Sequence, residues 1–143
     1  MSKDPSLGVG AVIVDHRKRM VSSGFNGLPS GIDFDSVITT DRETKLMCTI
    51  HAEENAMAFA WQDIAGYYLF STRHPCARCA AMIVQRGLHR VYYLSDPSDT
   101  VNARWRREHE MARYLLDHAG IVMFEWELER TTGDVTYLPR GRT

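Results

Sequence analysis

Two short segments carry three metal donors and one carboxylate, and they constrain this chain more than any other feature. His51-Ala52-Glu53 supplies an imidazole and a carboxylate, and Pro75-Cys76-Ala77-Arg78-Cys79 supplies two thiols. Zinc favours tetrahedral nitrogen and sulfur coordination, and a catalytic site keeps its fourth position open for water. A fold that brings His51, Cys76 and Cys79 to one ion must make the first turns of two helices converge. Unsatisfied N–H groups and the helix dipole at such starts favour negative charge, which lowers thiol pKa and helps thiolates bind metal. Pro75 suits a chain entering a helix, and two residues between the cysteines let one turn aim both sulfurs at the ion. A purely structural zinc knuckle needs a fourth ligand, for which Cys48 and His74 are the nearby candidates. Glu53 reads as a proton shuttle beside metal-activated water rather than as a ligand. Glu54 reads as a solvated or salt-bridged first-turn acid.

Composition narrows the setting. A chain of 143 residues reads as one domain, 1–143, long enough to bury a core. The net charge of −1 argues against capture of a nucleic-acid backbone, which relies on many Lys/Arg–phosphate contacts. A small anionic metabolite needs only two or three basic residues. No apolar run approaches a membrane span, and no signal peptide opens the chain. Of three cysteines, two belong to the metal motif, so no disulfide framework exists and Cys48 reads as a buried free thiol. The expected setting is a soluble, reducing, cytoplasmic one.

The chain order predicts an α/β domain. Val9–Asp15 and Met20–Gly24 form a hairpin around the polar turn His16-Arg17-Lys18-Arg19. The stretch from Asn26 to about Met47 lacks periodicity and reads as a long loop of the kind that is often functional. Helices follow over His51–Gln62, ending near Gly66, and over Cys76–Arg86, stopped by Gly87. Strands follow over Tyr67–Thr72, Arg90–Ser95 and Ile121–Leu128. A last helix runs from a cap at Asp99 or Thr100 to His118, with Val101, Trp105, Ala112, Leu115 and Leu116 on its apolar face. The tail holds one turn, Thr132-Gly133-Asp134. Five strands with helices between the later ones make a mixed sheet, parallel where helices cross over.

The combined H-x-E…P-C-x-x-C pattern is the signature of zinc nucleobase deaminases. With Ser2-Lys3-Asp4-Pro5-Ser6, Val9-Gly10-Ala11-Val12-Ile13-Val14, Gly24-Phe25-Asn26-Gly27-Leu28-Pro29-Ser30-Gly31 and His51-Ala52-Glu53-Glu54-Asn55-Ala56, the chain resembles the cytidine and deoxycytidylate (dCMP) deaminases. The likeness covers roughly residues 2–96, continues loosely to Ala119-Gly120 and fades in the tail. It implies a three-layer α/β/α sandwich with a five-stranded mixed sheet. It also implies hydrolysis of dCMP to dUMP and ammonia for thymidylate synthesis, with activation by dCTP and inhibition by dTTP with Mg2+, in a homo-oligomer, most often a hexamer. A deaminase of another cytosine nucleoside or nucleotide, or a non-catalytic zinc-stabilised module, are the alternatives.

By the same resemblance, Glu53 is the catalytic shuttle, His51, Cys76 and Cys79 hold zinc, and Asn26 and Ala52 contact the substrate. Gly24, Phe25, Asn26 and Gly27 correspond to the regulatory nucleotide site, where Tyr is usual at the position of Phe25. Phosphate candidates are Lys3, Arg42 and Lys45, with Arg78 and the run Arg104, Arg106 and Arg107 behind them. The tyrosine that stacks on the base in relatives has no counterpart in Ser95-Asp96-Pro97-Ser98, which leaves Tyr92, Tyr93 or Trp105 to replace it. Relatives carry a helix before the Ser2-Lys3-Asp4-Pro5 segment. Here either residues preceding Met1 or another element would cover that face of the sheet.

Overall fold

A computed structural model describes residues 8–32, 41–95, 103–131 and 134–142. The first hairpin pairs β1 (Gly10–Val14) with β2 (Met20–Phe25) in antiparallel register. Asp15 closes the turn, its carboxylate accepting from the Arg17 and Arg19 backbone N–H groups at 2.9 Å each. The later elements are α1 (Arg42–Cys48), α2 (Ala52–Phe59), β3 (Tyr68–Ser71), α3 (Ala77–Gln85), β4 (Arg90–Leu94), α4 (Ala103–His118), β5 (Val122–Thr131) and β6 (Asp134–Arg142).

The six-stranded sheet has the order β2-β1-β3-β4-β5-β6. The β3–β4 and β4–β5 pairs are parallel and the others antiparallel. All five expected strands form. β6 extends them, pairing antiparallel with β5 where only a turn was expected. The tail carries only a short alternating stretch, Asp134-Val135-Thr136-Tyr137, before Pro139, and the edge of β5 offers it a ladder.

Strands β3, β4 and β5 are joined by α3 and α4, and right-handed crossovers place both helices on one face. α2 reaches that face from β2 and packs on β1 and β2, while α3 packs against α4. Burial follows the pleat. Ala11, Ile13, Leu69, Val91, Tyr93 and Met123 point into the helical layer and join Ala52, Ala56, Met57, Ala80, Ile83, Ala112 and Leu116 in one core. The opposite face carries a ladder of flat rings. Phe70 and Tyr92 stack at 4.5 Å, and Tyr92 and Phe124 at 4.7 Å. Among the described residues no helix packs on this face.

Boundaries differ from expectation where side chains compete with the backbone. α2 stops at Phe59 because the chain then turns to bury Ile64, and the Asp63 carboxylate takes the Ala65 N–H at 3.0 Å. α1 lies inside the expected loop, capped by Asp41, whose carboxylate accepts from the Glu43 N–H at 3.1 Å. It buries none of its residues, so it leaves no periodic signature. Gly87 stops α3 as expected, with φ at 71°. No helix among the described residues is long and apolar enough to cross a membrane.

Candidate metal centre and active site

The two metal helices converge because β2 and β3 deliver them to the same side of β1. Gly24 in β2 sets how closely. A Cβ there would stand 2.4 Å from both the Ala52 carbonyl oxygen and the Ala56 nitrogen, so the backbone of α2 lies directly on the strand. His51 is the N-cap residue of α2 and Cys76 that of α3. The capping positions project their side chains off the helix starts, and the His51 Nδ1 lies 3.4 Å from the Sγ of Cys76 and 3.4 Å from that of Cys79.

This donor set fits zinc. Tetrahedral zinc with bonds of about 2.0–2.1 Å to nitrogen and about 2.3 Å to sulfur separates such ligand atoms by about 3.6 Å. All three donor atoms lie within 4.8 Å of one another, the only such group of donors among the described residues. Neither Cys48 nor His74 belongs to it. Cys48 is exposed at the end of α1, not buried as expected, because that short helix packs no residue into the core. The contact between the thiols pushes Cys76 down, helped by His51, while the same contact and burial push Cys79 up. His51 is raised, chiefly by its contact with Cys76. The trio therefore holds protons that a metal displaces on binding.

Glu53 is the second residue of α2, in its first turn and 4% exposed, with its Oε2 3.8 Å from the Cys79 Sγ. Burial raises its carboxyl to about 6. The Ser71 hydroxyl, at the end of β3, donates to Glu53 Oε1 at 3.3 Å and accepts the Arg73 N–H at 3.3 Å. One serine thus ties the carboxylate to the loop that leads into Cys76. Glu54 takes the structural role expected of it. Its Oε2 accepts the His51 N–H at 3.0 Å, and its Oε1 pairs with the Arg78 Nε at 2.6 Å, joining the starts of the two metal helices.

A third brace comes from α4. The Glu108 carboxylate accepts the Ala77 N–H at 2.9 Å, satisfying one of the orphan donors at the start of α3. α4 thereby holds Trp105 and His109 against the metal pocket, whose lining also includes Asn26, Ala52, Glu53, Arg73 and His74. His109 stacks on His74 at 4.0 Å. The His74 Nδ1 donates to the Pro75 carbonyl at 2.8 Å, and burial, then the neighbouring His109, pushes its ring down to about 3.

Several expected residues are elsewhere. Asn26 does line the pocket, but its amide oxygen accepts the Val9 N–H at 3.0 Å and so also fastens the start of β1. Gly24 and Phe25 border a separate hollow with Phe70, Tyr92 and Trp126, on the sheet face opposite the helices. Gly27 bridges Ile50 instead. Arg42 and Lys45 belong to α1, whose Leu46 lines the metal pocket while they do not. Lys3 lies outside the described residues. Of the three aromatic candidates, Trp105 borders the pocket, Tyr93 is buried in the core, and Tyr92 stacks on the far face. The sequence reading missed Ser71, Arg73 and Glu108. Ser71 and Arg73 lie within five residues of Cys76 along the chain, which is the signal that bore on them. Glu108 had none.

Comparison with known proteins agrees with this geometry. The family model for the cytidine and deoxycytidylate deaminase zinc-binding region matches residues 1–95. An uncharacterized deaminase in the luxG 3' region of Aliivibrio fischeri is 41% identical over 138 residues, covering 96% of this chain and 84% of that protein. The deoxycytidylate deaminase of Homo sapiens is 35% identical over 131 residues, covering 85% of this chain and 68% of that protein. A crystal structure of dCMP deaminase from the cyanophage S-TIM5, in complex with dCMP and dUMP, superposes with a TM-score of 0.63 at 27% identity, over 87% of this chain and 83% of that one. The chain belongs to the zinc-dependent cytidine and deoxycytidylate deaminase family.

Proposed function

We propose that this chain hydrolyses dCMP to dUMP and ammonia. The observation that carries the reading is a buried carboxylate, Glu53, in one pocket with His51 and Cys76 and 3.8 Å from the Cys79 sulfur, the third donor. Zinc held by those three supplies a Lewis acid that makes water nucleophilic at neutral pH. Glu53 accepts one proton from the water that adds to C4 and delivers it to the pyrimidine N3. It then takes the second proton from the hydroxyl left on C4 and passes it to the amine as the C4–N bond breaks, so the C4 carbonyl and ammonia form. Burial favours that exchange, because a carboxyl raised to about 6 both takes and returns a proton near neutrality. The Ser71 hydroxyl fixes one oxygen of Glu53 and leaves the other toward the donors. Ala52 opens α2, where N–H groups have no helical carbonyl to meet, and its N–H is suited to the pyrimidine O2. Asn26 borders the same pocket, and its amide is suited to a sugar hydroxyl. The relatives named deoxycytidylate deaminase and the cyanophage enzyme with dCMP and dUMP support this substrate.

The finer reading extends to control: dCTP activates and dTTP inhibits, each with Mg2+, in a homo-oligomer of which the hexamer is the expected form. Support comes from Gly24-Phe25-Asn26-Gly27. Phe25 is 48% exposed and borders the hollow on the opposite sheet face, while the next residue, Asn26, borders the metal pocket, so this segment joins the two faces. A nucleotide on Phe25 acts by binding two states of the pocket with different affinity. Ammonia release from dCMP, with and without dCTP and dTTP, tests both parts. No release from dCMP refutes the substrate assignment. Release that ignores both effectors refutes the control alone.

A further inference from the structure

We infer that Arg73 is the residue that recognises the 5′-phosphate and makes this pocket select nucleotides over nucleosides, an inference that rests on the deaminase reading above. Among the described residues that border the metal pocket Arg73 is the only Lys or Arg, and the other charged or titratable ones are His51, Glu53, His74, Cys76 and His109. Its backbone lies in the loop between β3 and α3, and its N–H is held by the same Ser71 hydroxyl that orients Glu53. That shared hydroxyl fixes the arginine's origin relative to the reacting end of the pocket. Arg73 is half-buried whereas Glu53 is buried, so the carboxylate is at the base of the pocket and the arginine nearer its mouth.

A pyrimidine nucleotide is polar at both ends. With its amino-bearing carbon against Glu53, its phosphate is the part farthest from the metal donors and nearest the mouth. A phosphate dianion entering a partly dry pocket requires a cation, and the planar guanidinium fork meets two phosphate oxygens at once. Of the phosphate candidates expected from sequence that lie among the described residues, Arg42, Lys45 and Arg78 do not border the pocket. Trp105, on α4, is the one indole, phenol or phenyl ring among the described residues that border the pocket, and it supplies an apolar wall beside the two polar ends.

The test compares kcat/KM for dCMP and deoxycytidine in the zinc-loaded protein. The wild type prefers dCMP. Arg73→Gln lowers kcat/KM for dCMP by about ten- to a hundredfold, mainly through KM, and lowers that for deoxycytidine far less. Arg73→Lys keeps the charge without the fork and retains an intermediate preference. A second measurement does not depend on a variant folding: modification of wild-type arginines by phenylglyoxal, mapped by mass spectrometry. dUMP protects Arg73 and deoxyuridine does not. An Arg73→Gln enzyme that keeps the wild-type preference, or an Arg73 that dUMP leaves unprotected, overturns the inference while the deaminase reading stands. A wild type that releases ammonia from neither compound overturns both.

Discussion

Gly24→Ala isolates the contact that seats the catalytic helix. The added Cβ would lie 2.4 Å from the Ala52 oxygen and the Ala56 nitrogen, and 2.8 Å from the Asn55 Cβ. Ordinary contacts between such atoms are about 3.5 Å or more, so α2 must retreat from β2 by about 1 Å. Two of the three obstructing atoms are backbone, and no rotamer change relieves them. Overpacking of this kind costs about 1–3 kcal/mol. For a domain of this size each kcal/mol lowers Tm by about 4 °C, so a fall of roughly 4–12 °C is expected. The same retreat carries His51 and Glu53 away from Cys76 and Cys79, and a misplacement of about 1 Å costs on the order of a hundredfold in turnover. Calorimetry, zinc content and ammonia release measure the three effects. Gly27→Ala is the control, since nothing lies within 4 Å of its added carbon and its φ is not positive. A Gly24→Ala protein with wild-type Tm and turnover refutes the packing argument. Loss of effector response at unchanged Tm assigns Gly24 to the regulatory site instead.

Three further perturbations separate the roles around the metal. Glu53→Gln keeps the three donors and retains zinc, but loses at least about a hundred- to ten-thousandfold in turnover because the proton path is gone; near wild-type rates would make another group the shuttle. Cys76→Ala removes a donor and the sulfur that accepts the Cys79 N–H at 3.5 Å, so elemental analysis finds zinc lost and the melting temperature falls. A Cys76→Ala protein that keeps full metal removes the basis of the donor assignment. Glu108→Ala orphans the Ala77 N–H and costs about 0.5–2 kcal/mol, read by thermal melting, whereas Glu108→Gln recovers part of it. Equal stability of both variants would show that the brace between α4 and α3 carries no weight.

Donor identity was legible along the chain because coordination chemistry needs particular atoms at short sequence spacing. Cys76 and Cys79 fall on one helical turn whatever the rest of the fold does, and His51 and Glu53 lie together at another helix start. The strands were legible as short apolar, β-branched runs between turn residues, and the parallel order of β3, β4 and β5 followed from the helices between them. α1 was not legible, since a helix that buries nothing leaves no periodicity. β6 was not either, because its pairing partner, not its own pattern, makes it a strand. The regulatory reading of Gly24 also changed weight, because a backbone contact with α2 is made by residues about 30 positions away.

By itself, then, the sequence determined which donor atoms suit a metal and which carboxylate stands beside them, since those depend on local spacing and side-chain chemistry. Only the tertiary structure decided what surrounds them. Ser71, Arg73, Trp105, Glu108 and His109 come from β3, the following loop and α4, and they border or brace the site because the sheet order brings those elements together. Contacts between residues distant in sequence depend on the path of the whole backbone, and no local pattern encodes that path.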